Sequence, residues 1–137
     1  MKIWVNGTFD VLHVGHIRLL EYASSLGDVR VGIDTDSRVK RLKGEKRPFN
    51  NLGERIEFLS SIKYVKDIVT FNTDEELENH IKNYKTDIMV KGGDWKSKEI
   101  IGIKYVPKII FFDIIEGKST SLILSYENNS NWGDMLR

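Results

Sequence analysis

The chemistry of this sequence is concentrated in Gly7-Thr8-Phe9-Asp10-Val11-Leu12-His13-Val14-Gly15-His16, between an apolar run at Lys2–Val5 and a segment of helical spacing that begins at Val14. Histidines three positions apart at a helix start fall on one side of its first turn. Gly15 between them has no side chain, so an anion can come close to the backbone. The free N–H groups and positive dipole end of the helix favour an anion there, and imidazole N–H groups add donors aimed at it. Such a set suits phosphoryl-type transfer, in which the protein mainly positions reactants and stabilises developing charge. The alternative is an ordinary helix start with one histidine exposed and one packed, and the short pattern alone does not decide between them. Zinc has less support: His80 is the one further histidine, and in its polar helical stretch it reads as a solvated surface residue.

The rest of the chain supplies the frame. Its 137 residues suit one domain with a substantial core. At 40% hydrophobic and 30% charged it is globular rather than disordered. A net charge of +1 gives no general field for nucleic acid or an anionic membrane, so neither is expected as a partner. With no cysteine, disulfides, thiolate–zinc sites and a cysteine nucleophile are excluded. The apolar stretch at the N-terminus is too short for a signal-peptide core, and the default location is cytoplasmic.

Strands are predicted at Lys2–Val5, Val29–Ile33, Asp67–Phe71, Ile88–Val90 and Lys108–Asp113. Helices are predicted at Val14–Leu26, with Gly27 as a cap, and at Asp36–Leu42 and Leu52–Ile62. A further helix is capped by Thr73 and runs to about Tyr84, and a last short one covers Ser119–Leu124. This alternation predicts a doubly wound, mostly parallel five-stranded α/β sheet of Rossmann-like type. Ligands then bind beyond the carboxyl ends of the strands, where the loops Gly7–His16, Lys43–Arg55, Lys91–Trp95 and Gly117–Ser121 lie. Residues 1–125 form the expected domain, and 126–137 a polar tail.

Gly7–His16 resembles the GxFDxxHxGH signature of the cytidylyltransferase-like nucleotidyltransferases. Lys43-Gly44…Arg47-Pro48…Glu54-Arg55 is similar to the central loop and following helix start of that family. Lys91-Gly92-Gly93-Asp94-Trp95 resembles its nucleoside-receiving segment, and Gly117-Lys118-Ser119-Thr120-Ser121 its terminal phosphate-holding element. The blocks run in family order from Asn6 to about Leu124. Two departures stand out: Ser121 where a second Thr is usual, and Lys118 beside it. The resemblance implies that His13 and His16 help bind the triphosphate and stabilise the transition state at the α-phosphate, with Lys43 as the third catalytic candidate, neutralising the leaving pyrophosphate. It implies nucleotide or phosphate contacts from Gly7, Thr8, Phe9, Gly15, Arg55, Lys91, Gly93, Asp94, Trp95, Ser119, Thr120 and Ser121. Asp10, Lys46 and Arg47 are candidates for the acceptor. It further implies Mg²⁺ carried mainly on the nucleotide phosphates, with no protein ligands to the metal, and a homodimer.

Several of these residues keep a plain structural reading beside the functional one. Lys43, Lys46 and Arg47 make a solvated charged loop or a phosphate-neutralising one. Arg55 is a surface ion-pair partner or a phosphate ligand. Trp95 stacks on a base or packs in the fold, and Asp94 takes a ribose hydroxyl or caps a helix. Gly92-Gly93 is a simple turn or a close approach of backbone to ligand. Ser119-Thr120-Ser121 reads as an N-cap, and a capped N-terminus is also a phosphate site.

Within the family, Arg41–Pro48, Val90–Trp95 and Glu99–Gly102 are more similar to adenylyltransferases of ADP-heptose synthesis than to glycerol-3-phosphate cytidylyltransferases. The expected reaction is transfer of a nucleotidyl group from ATP to a sugar 1-phosphate, heptose 1-phosphate first, releasing pyrophosphate. CDP-alcohol synthesis is the alternative, and a nucleotide-binding module without turnover the alternative of another class. In bifunctional relatives the domain is fused to a kinase, so a free-standing version is expected here.

Overall fold

The computed structural model describes residues 1–93, 99–114 and 121–128. Asp94, Trp95, Ser119 and Thr120 lie outside them. Strands β1 (Lys2–Gly7), β2 (Asp28–Asp34), β3 (Asp67–Phe71), β4 (Ile88–Gly92) and β5 (Lys108–Ile114) alternate with helices α1 (Val14–Leu26), α2 (Asp36–Lys43), α3 (Leu52–Ser60) and α4 (Asp74–Asn83). A 3₁₀ turn, Ile103–Tyr105, precedes β5, and β6 (Ser121–Glu127) follows it.

The sheet order is β3-β2-β1-β4-β5-β6. The first five strands are mutually parallel and β6 runs antiparallel to β5. Between β1 and β4 the winding reverses, and in such sheets that crevice takes the ligand.

Alternation along the strands builds a core on each face of the sheet. Ile3, Val5, Val31 and Val90 pack with Leu20 and Ala23 of α1 and Leu59 of α3 on one face. Trp4, Met89, Ile109 and Phe111 pack with Leu77 and Ile81 of α4 on the other. Helix starts are marked by side-chain caps: Thr35 accepts from Arg38 N–H, Asn51 and Glu54 form a reciprocal box, and Thr73 accepts from Glu76 N–H, as its sequence predicts. Among the described residues no helix is long and apolar enough to cross a membrane.

Three sequence expectations change. Residues 121–124 are strand, not helix, so the sheet has six strands rather than five. The exposed edge of β5 supplies a full antiparallel partner, and pairing along Ile114↔Ser121 to Lys108↔Glu127 overrides the cap-like serines. Tyr126 and Glu127, expected at the start of the tail, belong to that strand, and Tyr126 packs edge-on against Phe111. Gly27 does hold the C-cap position of α1, as expected, with an extended φ of 165°. Finally, His80 is half-buried: its Nε2 lies 2.9 Å from the Thr70 carbonyl and its ring stacks beside Trp4.

Candidate active site

A cavity of about 1200 Å³ opens at the carboxyl ends of the strands and is lined from both sides of the β1–β4 crevice. That is room for a nucleotide and a second ligand. The β1–α1 connection forms its centre. Phe9 adopts φ 51°, a left-handed conformation that bulky residues avoid. The turn places the buried Phe9 ring 5.3 Å from that of His16 and sends Asp10 inward.

The two histidines cap their own helix. His13 Nδ1 accepts the Gly15 N–H at 3.0 Å, and His16 Nδ1 accepts the His13 N–H at 3.1 Å. An imidazole that accepts at Nδ1 carries its ring proton on Nε2 when neutral. Backbone geometry therefore selects the tautomer in both rings, and each has an Nε2–H donor left for a ligand. The ring centroids are 4.0 Å apart. Burial, with the charge of His13 second, lowers the pKa of His16 from its ordinary 6.5, which keeps that ring neutral near pH 7. Gly15 has a second reason to be glycine besides ligand approach: a Cβ there would lie 2.6 Å from His13 Cε1, so only glycine lets the capping ring fold over the helix start.

Gly7, Thr8, Phe9, Asp10, His13 and Gly15 all line the cavity, as do His16, Lys43, Arg47, Lys91 and Gly93. Lys43 reaches it from the exposed end of α2. Lys91 is buried, and its Nζ lies 3.4 Å from Asn6 Oδ1, which also accepts from Trp4 Nε1 at 2.8 Å. Gly93 packs on Asp113, whose Oδ2 would stand 2.9 Å from an added Cβ.

Three expected residues lie off the cavity wall, and a fourth, Asp10, lines it with its carboxylate already engaged. Arg55 is fully buried and does not line the cavity. Its Nε donates to Asn50 O, its Nη1 to Thr8 O and Asp34 O, and its Nη2 to Asp36 Oδ1 at 2.7 Å. It fastens the loops beneath the site, and its donors are committed before any phosphate arrives. Asp10 faces the cavity, but its carboxylate accepts from Arg47 Nε at 3.0 Å, Phe49 N–H at 2.8 Å and Asn50 N–H at 2.8 Å. Burial opposes its ionisation, and the hydrogen bonds from Asn50, Phe49 and Arg47 outweigh it, holding the pKa below 3.8. Asp10 thus anchors the central loop. Lys46 is exposed and off the cavity wall. Ser121 is exposed at the start of β6, opposite Ile114.

Sequence reasoning missed Asn6, Asp34, Arg38, Glu99 and Asp113, all of which line the cavity. Position at or near a strand's carboxyl end was the available signal for Asn6, Asp34 and Asp113. Arg38 carried none, because the polar α2 reads as a solvated helix.

A mostly parallel sheet with its cavity at the reversal of winding, and paired histidines at the first helix start, have the architecture of the nucleotidyltransferase fold. The model of the cytidylyltransferase-like family matches residues 4–120, and the chain belongs to that family. It is 44% identical over 123 residues to a protein of Helicobacter hepaticus named bifunctional protein HldE, a match covering 89% of this chain. Proteins of that name from Nitratiruptor sp. and Campylobacter jejuni subsp. jejuni are each 45% identical over 123 residues, again 89% of this chain. The chain spans about a quarter of the length of these relatives, 25% to 26%. Among solved structures, a lipopolysaccharide core biosynthesis protein from Thermoplasma volcanium superposes with a TM-score of 0.61 at 28% identity. That match covers 70% of this chain and 77% of that one.

Proposed function

We propose that the chain transfers an adenylyl group from ATP to a sugar 1-phosphate, with heptose 1-phosphate the first candidate, and releases pyrophosphate. The observation that carries nucleotidyl transfer is the pair of Nε2–H donors held at the α1 start, in the same cavity as Lys43 and Lys91. The sugar acceptor is supported by the likeness to proteins named for bifunctional HldE and to one named for lipopolysaccharide core biosynthesis.

In the proposed step an oxygen of the acceptor's phosphate attacks the α-phosphorus in line. The new P–O bond forms as the bond to the β-phosphate oxygen breaks, and pyrophosphate leaves with that electron pair. His13 and His16 donate to the non-bridging oxygens as charge spreads there. Lys43 and Lys91 offset the charge of the leaving group. The acceptor phosphate is already ionised near neutral pH, so the step needs no general base. Mg²⁺ would shield the triphosphate. In this reading the nucleotide phosphates themselves carry the ion, as the family resemblance implies. A homodimer belongs to the same reading and rests on the family resemblance.

Purified chain, Mg²⁺, each of the four NTPs and a panel of phosphorylated acceptors, followed by pyrophosphate release, tests this directly. The expected result is a higher kcat/KM for ATP than for CTP with a sugar 1-phosphate. A clear preference for CTP with glycerol 3-phosphate moves the chain to CDP-alcohol synthesis. No turnover with any pair, despite NTP binding, makes it a binding module. A monomer mass by light scattering overturns the dimer.

A further inference from the structure

Arg38 occupies an expensive place. It sits in the first turn of α2, where the helix dipole disfavours a cation, and it is 8% exposed. Its Nη2 donates to Asp74 Oδ1 at 2.7 Å, and its Nη1 is 3.5 Å from Asn72 O. Its Nε is buried and has no hydrogen-bond partner among the described residues, and Asp34 Oδ1 stands 3.4 Å away, close enough for ion pairing only. The other oxygen of Asp34 accepts from Thr8 Oγ1 at 3.0 Å, which ties this pair to the β1 loop that carries the histidines. Both Asp34 and Arg38 line the cavity, as do Phe71 and Leu77, and the Arg38 guanidinium lies 5.2 Å from the Phe71 ring centroid.

A buried N–H without a partner calls for one. A phosphate is a poor candidate, because Asp34 and Asp74 stand beside Arg38 and would repel it. A hydroxyl fits: it accepts from Arg38 Nε and donates to Asp34 Oδ1, completing both groups at once. Adjacent hydroxyls on a rigid ring use the carboxylate and the guanidinium together, and the ring's C–H face meets the apolar side chains of Phe71 and Leu77.

We propose that Asp34 and Arg38 are the specificity-determining pair that reads the ring hydroxyls of the acceptor. They select a cyclic sugar phosphate over a short open-chain polyol phosphate. This rests on the reading of the cavity as a nucleotidyltransferase site.

Binding of a set of hexose and heptose 1-phosphates, of glycerol 3-phosphate and of ATP to the full chain, measured by calorimetry without turnover, tests the pair. The native chain is expected to prefer the best sugar 1-phosphate over glycerol 3-phosphate by about 10-fold or more, the net worth of one hydrogen bond. Arg38→Met keeps the packing stem, and Asp34→Asn keeps the shape. Each is expected to bring that preference close to unity while ATP affinity stays within about twofold. Arg38→Lys, which keeps charge but loses the fork, is expected to fall between. Circular dichroism confirms that each variant is folded. The proposal is overturned if the native chain shows no preference, if both variants keep it, or if ATP and sugar phosphate affinities fall together. Loss of the broader reading looks different: ATP then fails to bind the native chain at all.

Discussion

Two arginines flank Asp34, and their surroundings differ. Arg55 donates to three backbone carbonyls, from Thr8, Asp34 and Asn50, and to the Asp36 carboxylate, and none of it reaches the cavity. Arg38 faces the cavity with a buried Nε that no described residue satisfies. One guanidinium is finished by the fold and the other is left for a ligand to finish. Both residues are buried cations near the same aspartate, so burial and charge do not separate structural arginines from functional ones. The count of completed hydrogen bonds does.

The most direct way to break this comparison is Arg55→Met. It removes a buried charge and leaves several acceptors under the site unpaired, with an expected loss of about 3–5 kcal/mol in chemical denaturation. A loss under about 1 kcal/mol would show that the loops hold without it. His16→Ala lies on the other side of the comparison. It should lower kcat by roughly 10²-fold, the scale of one transition-state donor, and cost only about 1 kcal/mol through the cap. Near-native turnover in that variant removes the histidine from the chemistry.

Asp10→Asn is expected to cost about 2 kcal/mol, because the charge that gathers Arg47 and two backbone N–H groups is gone. The sign with pH follows from its depressed pKa. The folded value lies below the ordinary 3.8, so the stabilisation is complete above the unfolded pKa and is lost as pH falls through the folded one. The native chain should lose stability on that acid limb, and Asp10→Asn should flatten it. The smallest effect is the most pointed: Arg38→Met should cost about 1 kcal/mol or less, since Asp74 is largely exposed and the Asp34 contact is long. A loss equal to that of Arg55→Met would abolish the distinction.

Much of the fold was legible because it rests on local patterns. Thr73 before three acids marked a helix start, and the β-branched run at Asp67–Phe71 marked a strand with matching limits. The histidine-bearing loop was legible as part of the cavity because its residue types and spacing mark a helix start that can take an anion. Arg55 was misread for a physical reason: most of its partners are backbone carbonyls brought in from separate segments, and carbonyls leave no trace in a sequence. The anchoring role of Asp10 was illegible for a similar reason, since two of its donors are backbone N–H groups. The β6 segment offered a signal that serine capping obscured. Leu122, Leu124 and Tyr126 recur at every second position, the period of a strand, with Leu124 and Tyr126 packed on the core. His80 was misjudged because its neighbours in sequence are polar while its neighbours in space are Trp4 and Thr70.

The antiparallel closure of the sheet by β6 also bears on the order in which the chain assembles. Parallel pairing demands long excursions: β1 meets β4 only after residues 8–87 have been laid down between them. β5 meets β6 across residues 115–120 alone, and seven register pairs close in one ribbon. Loop-closure entropy rises with the length enclosed, so this ribbon is the least costly tertiary pairing in the sheet. It can zip early and present Ile109 and Phe111 as a preformed edge, onto which β4, and through it the slower parallel strands, is added.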